Sequence, residues 1–304
     1  MPLHHATLRQ LKVFEAAARN LSFSRAADEL HLTQPGVSMQ VKELEDHAGL
    51  PLFERIGRAM HVTEAGRELL ARTHEILRSL KDGQDALDGL RGLDRGHLNL
   101  GVTSTAKYFA PQFLARFRRQ HPALEFRLAV SNREAVIGQL AGNEVDLAIM
   151  GRPPEGLPTV AESFAPHPFV IIAAPDHPLA GRRRIAVSRL AEETFLVREA
   201  GSGTRSAMQH FVDEHGIRIR VGMEMTSNET IKQAVMAGMG VSFLSRHTIG
   251  LELESRKLAM LDVRGLPVMR RWFVVHLAAK RLSPTAQAFR SFALRHGQDV
   301  LKKL

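Results

Sequence analysis

Ala26–Arg55 reads AADELHLTQPGVSMQVKELEDHAGLPLFER. At its centre, Leu32-Thr33-Gln34-Pro35 ends one helical pattern and begins another. Thr33 is a helix-capping residue, and proline is tolerated in a first turn, where its missing N–H is not needed. Beyond that start Val37, Val41 and Leu44 recur on one face, which predicts an inward stripe. Gln34, Pro35, Ser38, Met39 and Lys42 fall on or near the opposite face. A helix that only had to pack would need the first set alone. The second set faces out at the N-terminal end, where a recognition helix meets base edges. Gln bonds adenine, Ser bonds phosphate or base, and Met contacts a thymine methyl.

Upstream, Thr7 opens TLRQ, a capping box with Gln10. Leu8, Leu11, Phe14 and Ala18 then recur at helical spacing to a stop near Asn20. Ser22 or Ser24 caps a short helix, SRAADEL, with Ala26, Ala27 and Leu30 inward. Two short helices joined by a tight turn make a helix-turn-helix. Downstream, Leu52–Arg55 and Met60–Thr63 predict two short strands around a turn, Ile56–Ala59, that carries Gly57 and Arg58. Such a wing brings Arg55 and Arg58 within reach of phosphate or the minor groove. The ordered set is more specific than any one member, since a charged hairpin on a solvated helical bundle would explain each part alone.

On these residues, and on VTEAGRELL after them, the chain resembles the winged helix-turn-helix of LysR-type transcriptional regulators, in register from residue 7 to 70. The resemblance implies double-stranded DNA contacts from Thr33, Gln34, Pro35, Ser38, Met39, Gln40 and Lys42, and from Arg55 and Arg58. Many members carry arginine where this chain has Met39, so readout there would be apolar.

Thr63 caps a further helix through residue 94. Leu70, Leu77, Leu80 and Leu87 approximate a heptad seam with Gln84 inward, and Gly89, Gly92 and Gly96 mark the exit. The pattern suits an inter-subunit coiled coil or a lone amphipathic helix on its own domain. The resemblance implies the dimerising helix, and beyond it a dimer-of-dimers homotetramer.

From residue 97 the period changes. HLNLGVT, EFRLAVS and DLAIM read as strands, separated by helices from TSTAKYFAP and NREAVIGQLAGN. Alternation of this kind predicts a parallel sheet in an α/β domain. A Pro-rich crossing with Pro166 and Pro168 in a hinge leads to a second α/β unit: FLVREAGSGTR, MEMTS, NETIKQAVMAGMG and VSFLS. Near Gly265–Pro267 the chain crosses back, adding the strand RRWFVVHLA and the closing helix SPTAQAFRSFALRHG. The predicted fold is therefore an α/β chain with an all-α-plus-wing N-terminal module. Residues 1–65 form the winged helix-turn-helix, 66–94 the linker helix, and 95–304 a two-lobed, periplasmic-binding-protein-like clamshell. Lobe I takes about 95–165 and 267–304, and lobe II about 166–266.

Ligands in such folds sit outside the carboxyl ends of strands, near helix N-termini. Thr103-Ser104-Thr105, Ser202-Gly203-Thr204 and Ser227-Asn228 meet that description. N-capping alone explains any one of them, and three converging on one cleft favour a ligand. Asn132 with Arg133, Arg152, Arg198 and Arg205 lie at or near element ends, and arginine suits planar recognition of carboxylate or phosphate. The motifs AKYFAP, NREAVIGQL, DLAIMGRPPE, REAGSGTR and SNETIKQAVMAGMGVSFLSRHT further resemble LysR-type regulators of Calvin-cycle carbon-fixation operons. That resemblance implies a small anionic, often phosphorylated, metabolite as effector, and activation of a divergently placed operon. Regulators of sulfur or nitrogen metabolism share parts of the pattern.

The 304 residues carry a net charge of +9 and no cysteine, which excludes thiol redox sensing and cysteine-ligated zinc. Residues 1–65 hold 7 basic and 8 acidic side chains; residues 96–304 hold 28 and 18. Nucleic-acid binding by the N-terminus thus rests on local placement rather than bulk charge. No histidine spacing suggests a metal. The start, MPLHHATLRQL, lacks a signal pattern and no run is long enough to span a bilayer, so a cytoplasmic chain with no membrane partner is expected. GSGT lacks the lysine of a nucleotide-binding P-loop, and GMGVSFL is not a nucleophile elbow. Asp146 has no evident acid–base partner. No catalytic residue and no cofactor are expected. A solute-binding protein would share the clamshell but not the helix-turn-helix.

Overall fold

The computed structural model describes residues 3–57, 59–90 and 96–302, with side chains of the linker helix given only in part. The chain divides into two compact units, Met1–Leu87 and Asp88–Leu304.

In the first unit α1 (Leu8–Asn20), α2 (Phe23–Leu30) and α3 (Gln34–Ala48) are followed by β1 (Phe53–Ile56), β2 (Ala59–Val62) and α4 (Glu64–Leu90). The Thr7 N–H donates to Gln10 Oε1 at 2.8 Å and the Gln10 N–H to Thr7 Oγ1 at 3.1 Å, closing the capping box. Ser22 caps α2, and Thr33 Oγ1 accepts from the Gly36 N–H at 3.2 Å to open α3. Gly49 ends α3 at φ +69, a conformation glycine adopts without penalty. Val13, Ala17, Ala26, Ala27, Val37 and Val41 form one core, with Phe14, Leu44, Leu52 and Leu69 in another. Leu8, expected inward, is 45% exposed: it is the first helical residue and sits beyond the edge of the apolar stripe.

The wing strands pair antiparallel from Phe53↔Val62 to Ile56↔Ala59, one residue offset from the predicted spans. Thr63 caps α4 through the Gly66 N–H. Of the predicted seam, Leu70 and Leu77 are half-buried while Leu80, Gln84 and Leu87 are exposed on the single chain. Gly89 lies inside α4 rather than at its exit, and Gly92 lies outside the described residues.

The second unit begins with β3 (Gly96–Thr103), α5 (Ala110–Gln120), β4 (Leu124–Ser131), α6 (Arg133–Ala141) and β5 (Leu147–Met150). β3 lies parallel between β4 and β5. Then β6 (Thr159–Ala173) leads to β7 (Thr194–Arg198), α7 (Gly203–Glu214), β8 (Arg220–Met225), α8 (Asn228–Met236), β9 (Ser242–Ser245), α9 (Gly250–Glu254) and β10 (Ala259–Leu261). β11 (Val268–Leu277) and α10 (Pro284–Leu301) return the chain to lobe I.

The expected proline hinge is a continuous strand. Pro166 and Pro168 lie inside the 15-residue β6, which pairs with β11 from Thr159↔Leu277 to Phe169↔Val268. The two crossings are thus one antiparallel ribbon, with a register shift between Trp272 and Phe273. The return crossing lies near Arg270–Trp272, beyond the expected Gly265–Pro267, because β11 already pairs with β6 in lobe II from Val268. Thr103-Ser104-Thr105 opens only a 3-10 turn, Ala106–Tyr108. The α-helix starts at Ala110, with Pro111 in its first turn.

Lobe I is built on aromatics: Phe109, Phe113, Phe117, Phe164, Trp272, Phe289 and Phe292. Lobe II is mainly aliphatic, with Phe169, Phe195, Phe211 and Phe243 on one side of its sheet.

Candidate functional site

In the first unit the outer face of α3 presents Gln34, Pro35, Met39 and Lys42 to solvent, with Thr33 exposed at the cap. Met39 is 56% exposed. Ser38 and Gln40 are half-buried. The Gln40 side chain donates to Glu43 Oε2 at 3.2 Å, and Gln10 donates to the same oxygen at 2.9 Å, so Gln40 is held against the helix. Arg55 is exposed on β1; Arg58 lies outside the described residues.

In the second unit a cleft opens between the lobes. Thr103, Ser104 and Thr105 form its lobe I side at the carboxyl end of β3, and Ser202, Gly203 and Thr204 face them from the first turn of α7. Arg133 and Arg152 line it from the α6 start and the loop after β5. First-turn N–H groups of a helix lack intrahelical acceptors, so the α7 start presents donors as well as hydroxyls. Ser202 makes no capping bond with its side chain. Thr105 Oγ1 and Thr204 Oγ1 stand 3.5 Å apart, so the two walls touch.

Five predicted residues do not line this cleft. Asn132 caps α6, its Oδ1 accepting from the Ala135 N–H at 2.9 Å. Arg198 is 2% exposed and its guanidinium is fully engaged. It donates to both Glu199 oxygens at 2.7 and 2.8 Å, to Asn228 Oδ1 at 2.5 Å and to Ser104 Oγ at 3.1 Å. Arg198 and Asn228 therefore form a buried strut reaching from lobe II to the lobe I wall. Ser227 stands at the α8 cap, also outside the cleft lining. Arg205 likewise does not line it; it donates to the Arg198 carbonyl at 3.3 Å and pairs with Glu224 at 3.7 Å.

Four lining residues escaped the sequence reading: Gly151, His167, Phe169 and Arg270. Gly151 follows β5, and the other three sit on the ribbon, where Arg270 pairs with His167 across the strands. A β-carbon on Gly151 would stand 2.7 Å from His167 Nδ1, so glycine is what lets that loop approach the ribbon. Reading 166–168 as a hinge loop hid these positions; strand alternation around Phe169 was the available signal.

The cleft's charge is strongly positive. Burial, then the nearby Arg152 charge, lowers the Arg133 pKa, and the same two causes act on Arg270. Only Glu155 answers them, paired with Arg152 at the surface. The Arg133 Nε is buried with no hydrogen-bond acceptor, although its NH2 donates to the Pro153 carbonyl at 2.9 Å. With Arg133 and Arg270 each made less basic by burial and by the Arg152 charge, the cleft is suited to hold an anion.

The family model described as "LysR substrate binding domain" matches residues 91–298, and "Bacterial regulatory helix-turn-helix protein, lysR family" matches residues 8–67. The chain belongs to the LysR family of bacterial transcriptional regulators. It is 53% identical to the RuBisCO operon transcriptional regulator of Allochromatium vinosum, over 95% of this chain and 96% of that one. It is 50% identical to the HTH-type transcriptional regulator CbbR of Rhodospirillum rubrum, over 94% of this chain and 95% of that one. The CcmR regulatory domain of Synechocystis, solved with 2-PG, matches at a TM-score of 0.64 and 42% identity, covering 66% of this chain and 96% of that domain. As a LysR-family regulator the chain has a small-molecule-binding domain whose cleft carries anion chemistry. Among the described residues no helix is long and apolar enough to cross a membrane.

Proposed function

We propose that this LysR-family protein is a cytoplasmic, DNA-binding activator of carbon-fixation genes that responds to a small phosphorylated anion. The observation that carries the effector reading is the cleft itself: Arg133, Arg152 and Arg270 with hydroxyls from both lobes and one helix start. The relationship to regulators named for the RuBisCO operon supports the target genes, and 2-phosphoglycolate in the CcmR domain supports the ligand class.

DNA contacts are assigned to the exposed face of α3, with Gln34, Ser38 and Met39 at base edges and Thr33, Lys42, Arg55 and Arg58 at phosphates. Residues 1–65, 66–94 and 95–304 act as DNA reader, dimerising linker and sensor. The exposed Leu80 and Leu87 on α4 would pair with a second copy, and two such dimers would make the tetramer. The clamshell binds without turnover and without a cofactor: arginine donors dominate its lining, and no described cleft residue pairs a general base with a nucleophile.

Anion binding draws the lobes onto the ligand, and the altered sensor geometry changes how paired recognition helices bend the operator. A ligand shifts such an equilibrium only by binding one state more tightly. Titration of the full-length chain with 2-phosphoglycolate tests the site. Saturable binding that Arg133→Ala weakens by about tenfold or more, as expected for a lost charge-assisted bond, supports it. Binding unchanged by Arg133→Ala rules out this cleft as the site.

A further inference from the structure

Resting on that reading of the cleft, we propose that His167 selects among phosphorylated anions: it favours those that carry a hydroxyl beside the anionic group. His167 lies on the ribbon, 3% exposed, among the residues that line the cleft. Its ring stacks on Trp272 at 3.8 Å and 14°, with Phe169 at 4.3 Å on the ribbon beside it, so its plane is fixed. Both ring nitrogens are buried with no hydrogen-bond partner. Buried polar groups are rarely left so, and an imidazole with two idle nitrogens at the wall of a ligand cleft is placed to meet a ligand.

The imidazole's charge state sets what it asks for. Burial holds its pKa well below the ordinary value, and His247 and Arg270 push the same way. A neutral imidazole has one N–H donor and one lone-pair acceptor. Ionised carboxylate and phosphate oxygens only accept, so they satisfy the N–H alone. Arg133, Arg152 and Arg270 only donate, which makes the cleft rich in donors for the anionic ends of a ligand. The acceptor nitrogen of His167 needs a donor, and on a small phosphorylated acid that donor is a hydroxyl. The arginines thus set the charge class and His167 sorts within it.

The test is titration of the full-length chain with 3-phosphoglycerate and its 2-deoxy analogue, which keeps both anionic groups and lacks only the hydroxyl. The expected result is about tenfold tighter binding of the hydroxylated compound, the worth of one buried hydrogen bond. His167→Phe keeps a flat ring over Trp272 and should bring the ratio close to one by weakening 3-phosphoglycerate alone. His167→Asn, with a donor and an acceptor, should restore part of it. Equal affinities in the unmodified protein, or a ratio that survives His167→Phe, overturn the proposal. In that case binding that Arg133→Ala still weakens leaves the phosphorylated-anion reading standing. No binding of either compound overturns the proposal, and binding of 2-phosphoglycolate then decides the phosphorylated-anion reading on its own.

Discussion

Lys280 and Asp146 stand 134 residues apart in sequence and 2.7 Å apart in space, both buried. Asp146 Oδ2 also accepts from the Asn99 N–H at 2.8 Å and from the Asn99 side chain at 3.1 Å. Lys280 comes from the loop after β11, so this structural pairing lies beyond any local pattern. Removing one member of such a pair strands a buried charge. Lys280→Met should therefore cost about 3–5 kcal/mol in urea unfolding; a change under 1 kcal/mol would show the pair to be incidental. His247 accepts from the Trp272 indole N–H at 3.2 Å, and burial, aided by Arg246, lowers its pKa from 6.5 to about 4. The folded state thus resists a proton that the unfolded chain accepts. Stability is full above pH 6.5, falls between pH 6.5 and about 4, and stops falling on this account below that. His247→Gln should reduce the fall in melting temperature across that window, with His167, depressed in the same direction, keeping part of it. Arg198 and Arg205 show the limit of residue-level reading. Both lie in REAGSGTR, whose Ser202, Gly203 and Thr204 do line the cleft, but each guanidinium is held by protein acceptors.

At the scale of elements, α3 was legible almost residue by residue. Cap, proline and inward stripe are all local signals, and each appears where the pattern put it. Thr33→Ala should cost about 1 kcal/mol of stability through the lost cap, and should weaken DNA binding as well if Thr33 also meets phosphate. Gln34→Ala should weaken operator binding by about tenfold while leaving the melting temperature unchanged, since the side chain is exposed. Lys42→Ala should lower the salt slope of log affinity by about one; an unchanged slope would remove Lys42 from the phosphate contacts. β6 was the least legible element. Proline is ordinarily an edge or breaker signal in strands, yet Pro166 and Pro168 lie within the ribbon, opposite Arg271 and Met269. There β6 pairs with β11 alone, since β9 and β10 join it only from Phe169 onward, so both prolines sit on an edge segment that a local pattern does not distinguish from a break.

For the molecule as a whole, alternation of strands and helices gave the two lobes, and the family relationship gives their use. What no local pattern carries is which of the candidate polar groups converge. Eight of the predicted effector residues line one cleft. The rest are caps and struts, because the same residue types serve both purposes at helix starts. Contacts between the lobes are already numerous: Tyr108 donates to Glu229 at 2.5 Å, and Arg198 reaches Ser104. A clamshell so held is suited to small adjustments of lobe angle, which a dimer can pass to paired recognition helices. The most direct measurement is operator bending and footprint by the full-length protein, with and without saturating phosphorylated ligand. The account predicts a ligand-dependent change in bend angle that Arg133→Ala abolishes without loss of basal DNA binding. Identical bending and footprints at full ligand occupancy would contradict it.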